Sequence, residues 1–271
     1  MVEITTEEFN KLSDYIKKNY GIYLKKEKMT LVSGRLFNVL KEAGCDSFSQ
    51  YYEHIIKDKT GLALITLVNR ITTNHTFFMR ESSHFFYFRD HILPLLKNTV
   101  KDKDMRLWCA ACSSGEESYT LAMIIDEFLG GEKFWWDTKI LATDISQEVL
   151  DRAKEGIYSN ERLAPLPIFW KTNYFKQIDA ENSIVVDKIK QEVVYRRFNL
   201  MEEIFPFKKK FHVIFCRNVM IYFDNDTKEN LIDKLYDCLE YGGYLFVGHS
   251  ESLNRDKSKF KYIMPSVYRK L

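Results

Sequence analysis

From about residue 104 onward, short apolar runs alternate with amphipathic stretches, and the runs stop at small or polar residues. Residues 105–111, 140–143, 193–198 and 211–215 read as strands. Residues 115–129, a stretch starting at Ser146 and residues 227–239 read as helices; the first carries Leu121, Ile124, Ile125 and Phe128 on one side. Strands and helices in alternation predict parallel strands joined by helical crossovers. The fold class expected is therefore α/β, a Rossmann-like doubly wound sheet. The Gly242-Gly243 pair turns the chain into a strand at 244–247, and a last strand is predicted over 262–268.

The first seventy residues contrast with this pattern, because no strand signal interrupts them. Thr6 is placed to cap a helix carrying Phe9, Leu12 and Ile16. A second helix carries Leu31, Val32, Leu36, Val39 and Leu40 and ends at Gly44. Ser47 and Gln50 form a capping box before Tyr51 and Ile55, and a fourth helix runs over 62–71. The domains expected are a helical one over 1–71 and an α/β one over 72–271. Residues 158–192 break the alternation, with Pro165, Pro167 and a β-rich stretch at 183–186. An inserted subdomain with a small antiparallel sheet is expected there.

Lysine plus arginine number 40 against 38 aspartates and glutamates, a net charge of +2, which argues against a protein that coats nucleic acid. Apolar runs are too short to span a bilayer. The segment MVEITTEEF has no basic-then-apolar signal, so a cytoplasmic protein without membrane insertion is expected. Cys109-Ala-Ala-Cys112 has redox-motif spacing, but no second cysteine pair completes a zinc site; small residues lining a tight turn is the better account. His75 and His84 match no metal-ligand spacing, and no metal is expected.

In α/β sheets, ligands bind outside the carboxyl ends of the strands. The residues that end the runs are therefore the site candidates. The first run ends in Ala110-Ala111-Cys112-Ser113-Ser114-Gly115-Glu116-Glu117. Its small residues permit close backbone approach, and the following helix presents free N–H groups. This is not GxGxxG, and two carboxylates would repel a pyrophosphate. They suit a cationic ligand, such as the ammonium or sulfonium of S-adenosylmethionine; alternatively they only complement the helix dipole. Asp144 ends the second run, where an acid binds ribose hydroxyls or caps the next helix. Asn199 and Asn218 end later runs and are placed to read an adenine edge. Arg217, Asn218 and Tyr222, in the stretch Cys216-Arg217-Asn218-Val219-Met220-Ile221-Tyr222-Phe223, are expected to face the ligand, and Asp224 to cap the next helix.

The same residues carry a family resemblance. The chain resembles the chemotaxis receptor methyltransferases, the CheR family. Asn74, Thr76 and Arg80 match its Asn-x-Thr-x-x-x-Arg motif, and Gly115-Glu116-Glu117 its Gly-Glu-Glu loop. Ala142 to Ile145 match Ala-Thr-Asp-Ile, and Asn199-Leu200 its Asn-Leu pair. Cys216 to Phe223 match Cys-Arg-Asn-Val-Met-Ile-Tyr-Phe, and Gly248 to Glu251 match Gly-His-Ser-Glu, all in the family's order. The resemblance implies a methyltransferase that uses S-adenosylmethionine and releases S-adenosylhomocysteine. It implies as partner the cytoplasmic helical domain of a chemoreceptor, whose glutamates become methyl esters. Asn74, Thr76, Arg80, Glu117, Asp144, Asn199, Leu200, Arg217 and Asn218 would line the cofactor, and Arg80 and Tyr222 would border the transferred methyl; Glu116 remains an alternative to Glu117. The helical domain, with Lys25, Lys26, Lys28, Arg35 and Lys41, would recognise the receptor.

Two departures are tolerable: Ser118 where proline is common, and Met79 where an aromatic often precedes the arginine. A third matters more. Members that grip a receptor's C-terminal pentapeptide have a glycine-bearing loop in the small sheet, and residues 174–190 contain no glycine. Independence of such a tether is expected, as is a monomer. The alternatives are a methyltransferase acting on another protein target and a catalytically silent S-adenosylmethionine-binding module.

Overall fold

The structure, a computed structural model, describes residues 3–72 and 75–271. By its contacts the chain divides into two compact units, residues 1–75 with 222–228 and residues 76–221 with 229–271.

The first unit is helical. Helix α1 (Thr6–Tyr20) begins at a capping box in which Thr5 accepts the Glu8 N–H and the Glu8 carboxylate accepts the Thr5 N–H. The cap is thus Thr5 rather than Thr6, because Thr5 is the threonine with a glutamate three residues on. The helix buries Phe9, Leu12 and Ile16 and stops at Gly21, where φ is 70°. Helix α2 (Met29–Glu42) buries Val32, Leu36, Val39 and Leu40, while Leu31 is left exposed. Helix α3 (Phe48–Lys57) is capped by Ser47, but the Gln50 side chain reaches the Asp46 N–H instead of closing a box on Ser47. Helix α4 (Leu62–Ile71) starts behind Asp58, whose carboxylate accepts the N–H groups of Thr60 and Ala63. Lys25, Lys26, Lys28 and Lys41 are exposed. Arg35 is not part of that free face, since its guanidinium donates to the Ile71 carbonyl and ties α2 to the end of α4. Residues 222–228 join this unit through a bridge between Ile22 and Phe223 and an ion pair between Lys17 and Asp224 at 2.6 Å.

The second unit opens with α5 (Ser82–Tyr87), a π-helical turn (Phe88–Ile92) and α6 (Leu93–Thr99). The expected alternation follows: β1 (Leu107–Cys109), α7 (Glu116–Leu129), β2 (Ile140–Asp144) and α8 (Gln147–Glu155). The insertion holds β3 (Ile157–Ser159), α9 (Asn160–Leu163), α10 (Ile168–Tyr174), β4 (Phe175–Gln177), β5 (Asn182–Val185) and α11 (Asp187–Lys190). Then come β6 (Val193–Arg197), β7 (Phe211–Phe215), α12 (Asn225–Cys238), β8 (Leu239–Phe246), β9 (Lys261–Met264) and β10 (Val267–Arg269).

The seven-stranded sheet has the order β6-β2-β1-β7-β8-β10-β9. Strands β6, β2, β1, β7 and β8 are parallel, and β10 and β9 complete the edge antiparallel. The chain builds outward from β1 to β6 on one side and resumes at β7 on the other. The crevice beyond the carboxyl ends of β1 and β7 is therefore the switch point at which such sheets bind ligands. Both flanks of these central strands are covered, which accounts for their unbroken apolar runs. Phe215 stacks on Phe246 at 4.3 Å and meets Phe85 and Phe88, while Trp108 packs among Phe198, Phe205, Phe207 and Phe211.

Two details at the edge differ from expectation. The single last strand is a hairpin, broken where Pro265 lacks an N–H and Ser266 takes φ of 63°. The strand expected from residue 244 starts at Leu239, and Gly242-Gly243 lie inside it as an irregularity opposite Phe211 and Val213. The insertion forms the expected small antiparallel sheet, in the order β3-β5-β4. Its hairpin closes without glycine because the Asp179 carboxylate accepts the N–H groups of Glu181 and Asn182.

Candidate active site

The loop after β1 turns into α7 at Gly115, where φ is 96° and an added Cβ would lie 2.7 Å from the Tyr195 hydroxyl. Only glycine fits there. The two carboxylates that follow point to different surroundings. Glu116 is fully buried, accepts the Ser114 hydroxyl at 2.8 Å and pairs at 3.1 Å with Arg162 of α9 in the insertion. Glu117 lies 2.8 Å from Nη1 of Arg217, at the end of β7. Burial raises the pKa of both carboxyls; Arg217 opposes this at Glu117, and Ser114 chiefly opposes it at Glu116. Sequence spacing left the choice between them open, and the geometry places Glu117 with the other strand-end residues.

Asp144 ends β2. Its carboxylate accepts the Ser113 N–H at 2.9 Å and the Ser146 N–H at 3.0 Å, so it pins the β1 loop to the β2 loop. The cap of α8 is Ser146, which accepts from the Val149 N–H. Burial raises the Asp144 pKa against these hydrogen bonds. With the N–H groups of Ser113, Ile145 and Ser146 on its four acceptor positions, the carboxylate keeps capacity for a ligand hydroxyl.

Arg217 is almost entirely buried, its side chain only 2% exposed. Besides Glu117, its guanidinium donates to Glu81 at 3.0 Å and to the Arg80 carbonyl. Glu81 also accepts the Asn218 side-chain amide at 3.1 Å and the His249 N–H at 3.1 Å. Burial tends to raise the Glu81 pKa, but Asn218 and Arg217 outweigh it and the net shift is downward. Met79 and Glu81, on either side of Arg80, both take left-handed backbone angles, φ 61° and 56°. Such angles are uncommon outside glycine, and packing must hold them.

Asn218 is also left-handed, with φ 58°, and Glu251 braces it. The Glu251 carboxylate accepts the N–H groups of Asn218 at 2.8 Å, Gly248 at 2.6 Å and Ile221 at 3.1 Å. A side chain at residue 248 would sit 2.4 Å from the Asn218 amide nitrogen, so glycine is required there. His84 is buried beneath this cluster. Its pKa is pushed down to about 3, first by burial and then by the charges of Arg217 and His249. It is a neutral imidazole at physiological pH.

Among the other candidates, Asn199 turns its side-chain oxygen onto the Met201 N–H, and the Leu200 carbonyl accepts from Lys234. Thr76 and Arg80 are half-buried. Tyr222 is half-buried and grouped with the first unit, where its carbonyl accepts the Tyr23 N–H at 2.7 Å. Asn74 lies outside the described residues. The structure thus joins Glu117, the Arg80 backbone carbonyl and Glu81 through the Arg217 guanidinium, Asn218 to this group through Glu81, and Asp144 to the β1 loop. Sequence reasoning missed Glu81 and Glu251 as site residues. Each lies in or beside a motif already noted, but neither directly ends a strand. Cys109, Cys112 and Cys216 are buried free thiols whose pKa burial lifts well above the usual range, so they are poor nucleophiles.

A mostly parallel sheet with this switch point, a small-residue loop into α7 and an acid at the end of β2 define a Rossmann-like, S-adenosylmethionine-dependent methyltransferase domain. Profile comparison agrees: residues 74–268 match "CheR methyltransferase, SAM binding domain", and residues 7–72 match "CheR methyltransferase, all-alpha domain". The chain belongs to the CheR methyltransferase family. It is 42% identical to a chemotaxis protein methyltransferase of Borreliella burgdorferi over 99% of this chain and 96% of that protein. It is 35% identical to a probable chemotaxis protein methyltransferase of Rhizobium etli, covering 94% and 96%. It is 32% identical to the chemotaxis protein methyltransferase of Escherichia coli, covering 96% and 89%. Among the described residues no helix is long and apolar enough to cross a membrane.

Proposed function

We propose that the chain methylates glutamate side chains on the cytoplasmic helices of chemoreceptors, using S-adenosylmethionine and releasing S-adenosylhomocysteine. Charge carries the cofactor part of this assignment, and membership of the CheR family supports the target. One guanidinium, Arg217, is shared by two carboxylates, Glu81 and Glu117, and Asp144 adds a third at the neighbouring strand end. Even with Arg80, which this reading also places in the cradle, three carboxylates face two guanidiniums, so the crevice is short of positive charge, and burial makes Glu117 and Asp144 costly to ionise. A ligand with a cationic sulfur and amino group and a ribose fits that deficit. Glu117 would face its positive end and Asp144 its ribose hydroxyls. Asn199, Leu200 and Asn218 would flank the base, with Asn74, Thr76 and Arg80 completing the cradle. Arg217, being buried, is assigned to holding Glu117 in place.

S-adenosylmethionine supplies an electrophilic methyl group when bound. The acceptor glutamate, with a usual pKa of about 4.3, is ionised at neutral pH and already nucleophilic, so the chain need not provide a base. Catalysis then rests on placement in line with the carbon–sulfur bond. Arg80 orients the substrate carboxylate by a charge-assisted contact, and Tyr222 donates one hydrogen bond to it. Both contacts are orienting ones, because stronger pairing would stabilise the ground state. The helical unit recognises the receptor, with Lys25, Lys26 and Lys28 steering an acidic helix. The protein acts in the cytoplasm as a monomer and does not need the receptor's C-terminal pentapeptide.

The test is methylation of receptor cytoplasmic fragments, with and without their last residues, followed by mass mapping. Glutamyl methyl esters at similar rates on both fragments are expected. Arg80→Ala should lose more rate than Tyr222→Phe, with both proteins folded. Modification of another residue type, or wild-type turnover in both variants, would refute the assignment. A rate that falls on deletion of the receptor tail would refute the tether-free part alone.

A further inference from the structure

Behind the Glu81–Arg217 pair lies a cluster that the methyl-transfer chemistry does not use. Glu81 and His84 sit one helical turn apart at the start of α5, and His249 comes from the loop after β8. One potential ligand atom from each lies within 4.8 Å of those of the other two, and His84 Nδ1 is 3.6 Å from the Glu81 carboxylate. The His84 and His249 rings meet edge to face, with centroids 4.7 Å apart. Neither ring nitrogen of His84, a side chain with 0% exposure, has a hydrogen-bond partner among the described residues. The Pro265 backbone carbonyl approaches the ring closely enough to favour its protonated form, but outside normal hydrogen-bond geometry. A buried imidazole with both nitrogens unpaired calls for a partner such as a water or an ion.

We propose that Glu81, His84 and His249 form a binding site for a borderline divalent transition-metal ion of the zinc, cobalt or nickel class. Two imidazoles and one carboxylate suit these ions, whereas magnesium and calcium prefer all-oxygen sites. Bonds of about 2.1 Å place ligand atoms about 3.4 Å apart in a tetrahedral site. The Glu81–His84 pair is already close to that spacing, and exposed His249 can close the rest by side-chain rotation. The hydroxyl of Ser83 lies 3.3 Å from His249 Nε2, occupying one ring nitrogen and leaving the other for the ion. Metal-bound histidines usually have such an outer partner. Arg217 stays paired with Glu117 when Glu81 turns to the ion. Because Glu81 also braces Asn218, a filled site loosens the cradle and acts as a brake. That consequence depends on the methyltransferase assignment, whereas the binding itself does not.

The experiment is equilibrium dialysis of the full chain, free of cofactor, against Zn²⁺ and against Co²⁺, whose visible absorption reports its ligands. About one equivalent should be retained through nitrogen and oxygen donors. His249→Ala, at an exposed position, should keep the fold by circular dichroism and bind more than about tenfold more weakly. Excess Mg²⁺ should not compete. Unchanged affinity in His249→Ala would place the ion elsewhere, and a strong thiolate-to-cobalt charge-transfer band would place it on cysteines; either result would overturn the proposal. Failure to retain Zn²⁺ would overturn it too, with water then satisfying His84.

Discussion

One carboxylate of the helical unit and three of the α/β unit are held in opposite ways. In the helical unit Asp58 is half-buried and held down at about 2, first by the Thr60 hydroxyl and then by backbone N–H groups of Ala63 and Thr60. Its hydrogen bonds all favour the charged form, and it does no more than start a helix. In the α/β unit, Glu117 accepts from Arg217, and Asp144 and Glu251 accept several backbone N–H groups, yet burial prevails and their pKa values rise. Hydrogen-bond number alone therefore does not separate a cap from a cradle. Desolvation does: it outweighs the hydrogen bonds at these three carboxylates, where a bound cation would be worth most.

Removing the counter-charge should have the largest effect. Arg217→Ala strands Glu81 and Glu117, and breaking a buried pair from one side costs about 3–5 kcal/mol. Urea unfolding should show the loss, and near-native stability would mean that water already screens this pair. Next is Asp144→Ala, which should cost about 1–3 kcal/mol of affinity for S-adenosylmethionine and S-adenosylhomocysteine alike, by calorimetry. Both ligands carry the ribose, so a loss confined to one of them would move Asp144 away from it.

The pH dependence follows from the raised values. A cationic ligand favours ionised Glu117 and Asp144, whose pKa values lie above their ordinary 4.5 and 3.8. Affinity is therefore full above the raised values and falls as pH drops through them, by at most about tenfold per pH unit for each proton taken up. Glu117 should contribute for S-adenosylmethionine more than for the uncharged sulfur of S-adenosylhomocysteine. Titration calorimetry in buffers of different ionisation enthalpy would count the protons, and a flat profile for both ligands would remove the contrast between the units. The smallest effect belongs to the helical side. Thr5→Ala removes a capping box and should cost about 1 kcal/mol in the first unit, with cofactor affinity unchanged.

Much of this protein was legible in its chain. Apolar periodicity located the helices of the first unit to within a residue or two, and the residues ending each run marked the loops around the crevice. These are local properties, since side-chain spacing alone decides which face of a helix or strand is apolar. The glycine-free turn of the insertion was legible too, although its closing group, Asp179, came only with the geometry. Tertiary structure decided what local spacing cannot encode. Glu116 and Glu117 are adjacent, and only the placement of Arg162 and Arg217 separates their roles. Glu81 meets Arg217, Asn218 and His249 across a long stretch of chain, because β7 and β8 are brought beside β1 by crossovers. His84 looked like an isolated histidine at no metal spacing, and its partner His249 becomes visible only when strand order places the β8 loop over α5. A side chain's own face is written in its neighbours along the chain, whereas its partner across the fold depends on strand order, which no local pattern carries.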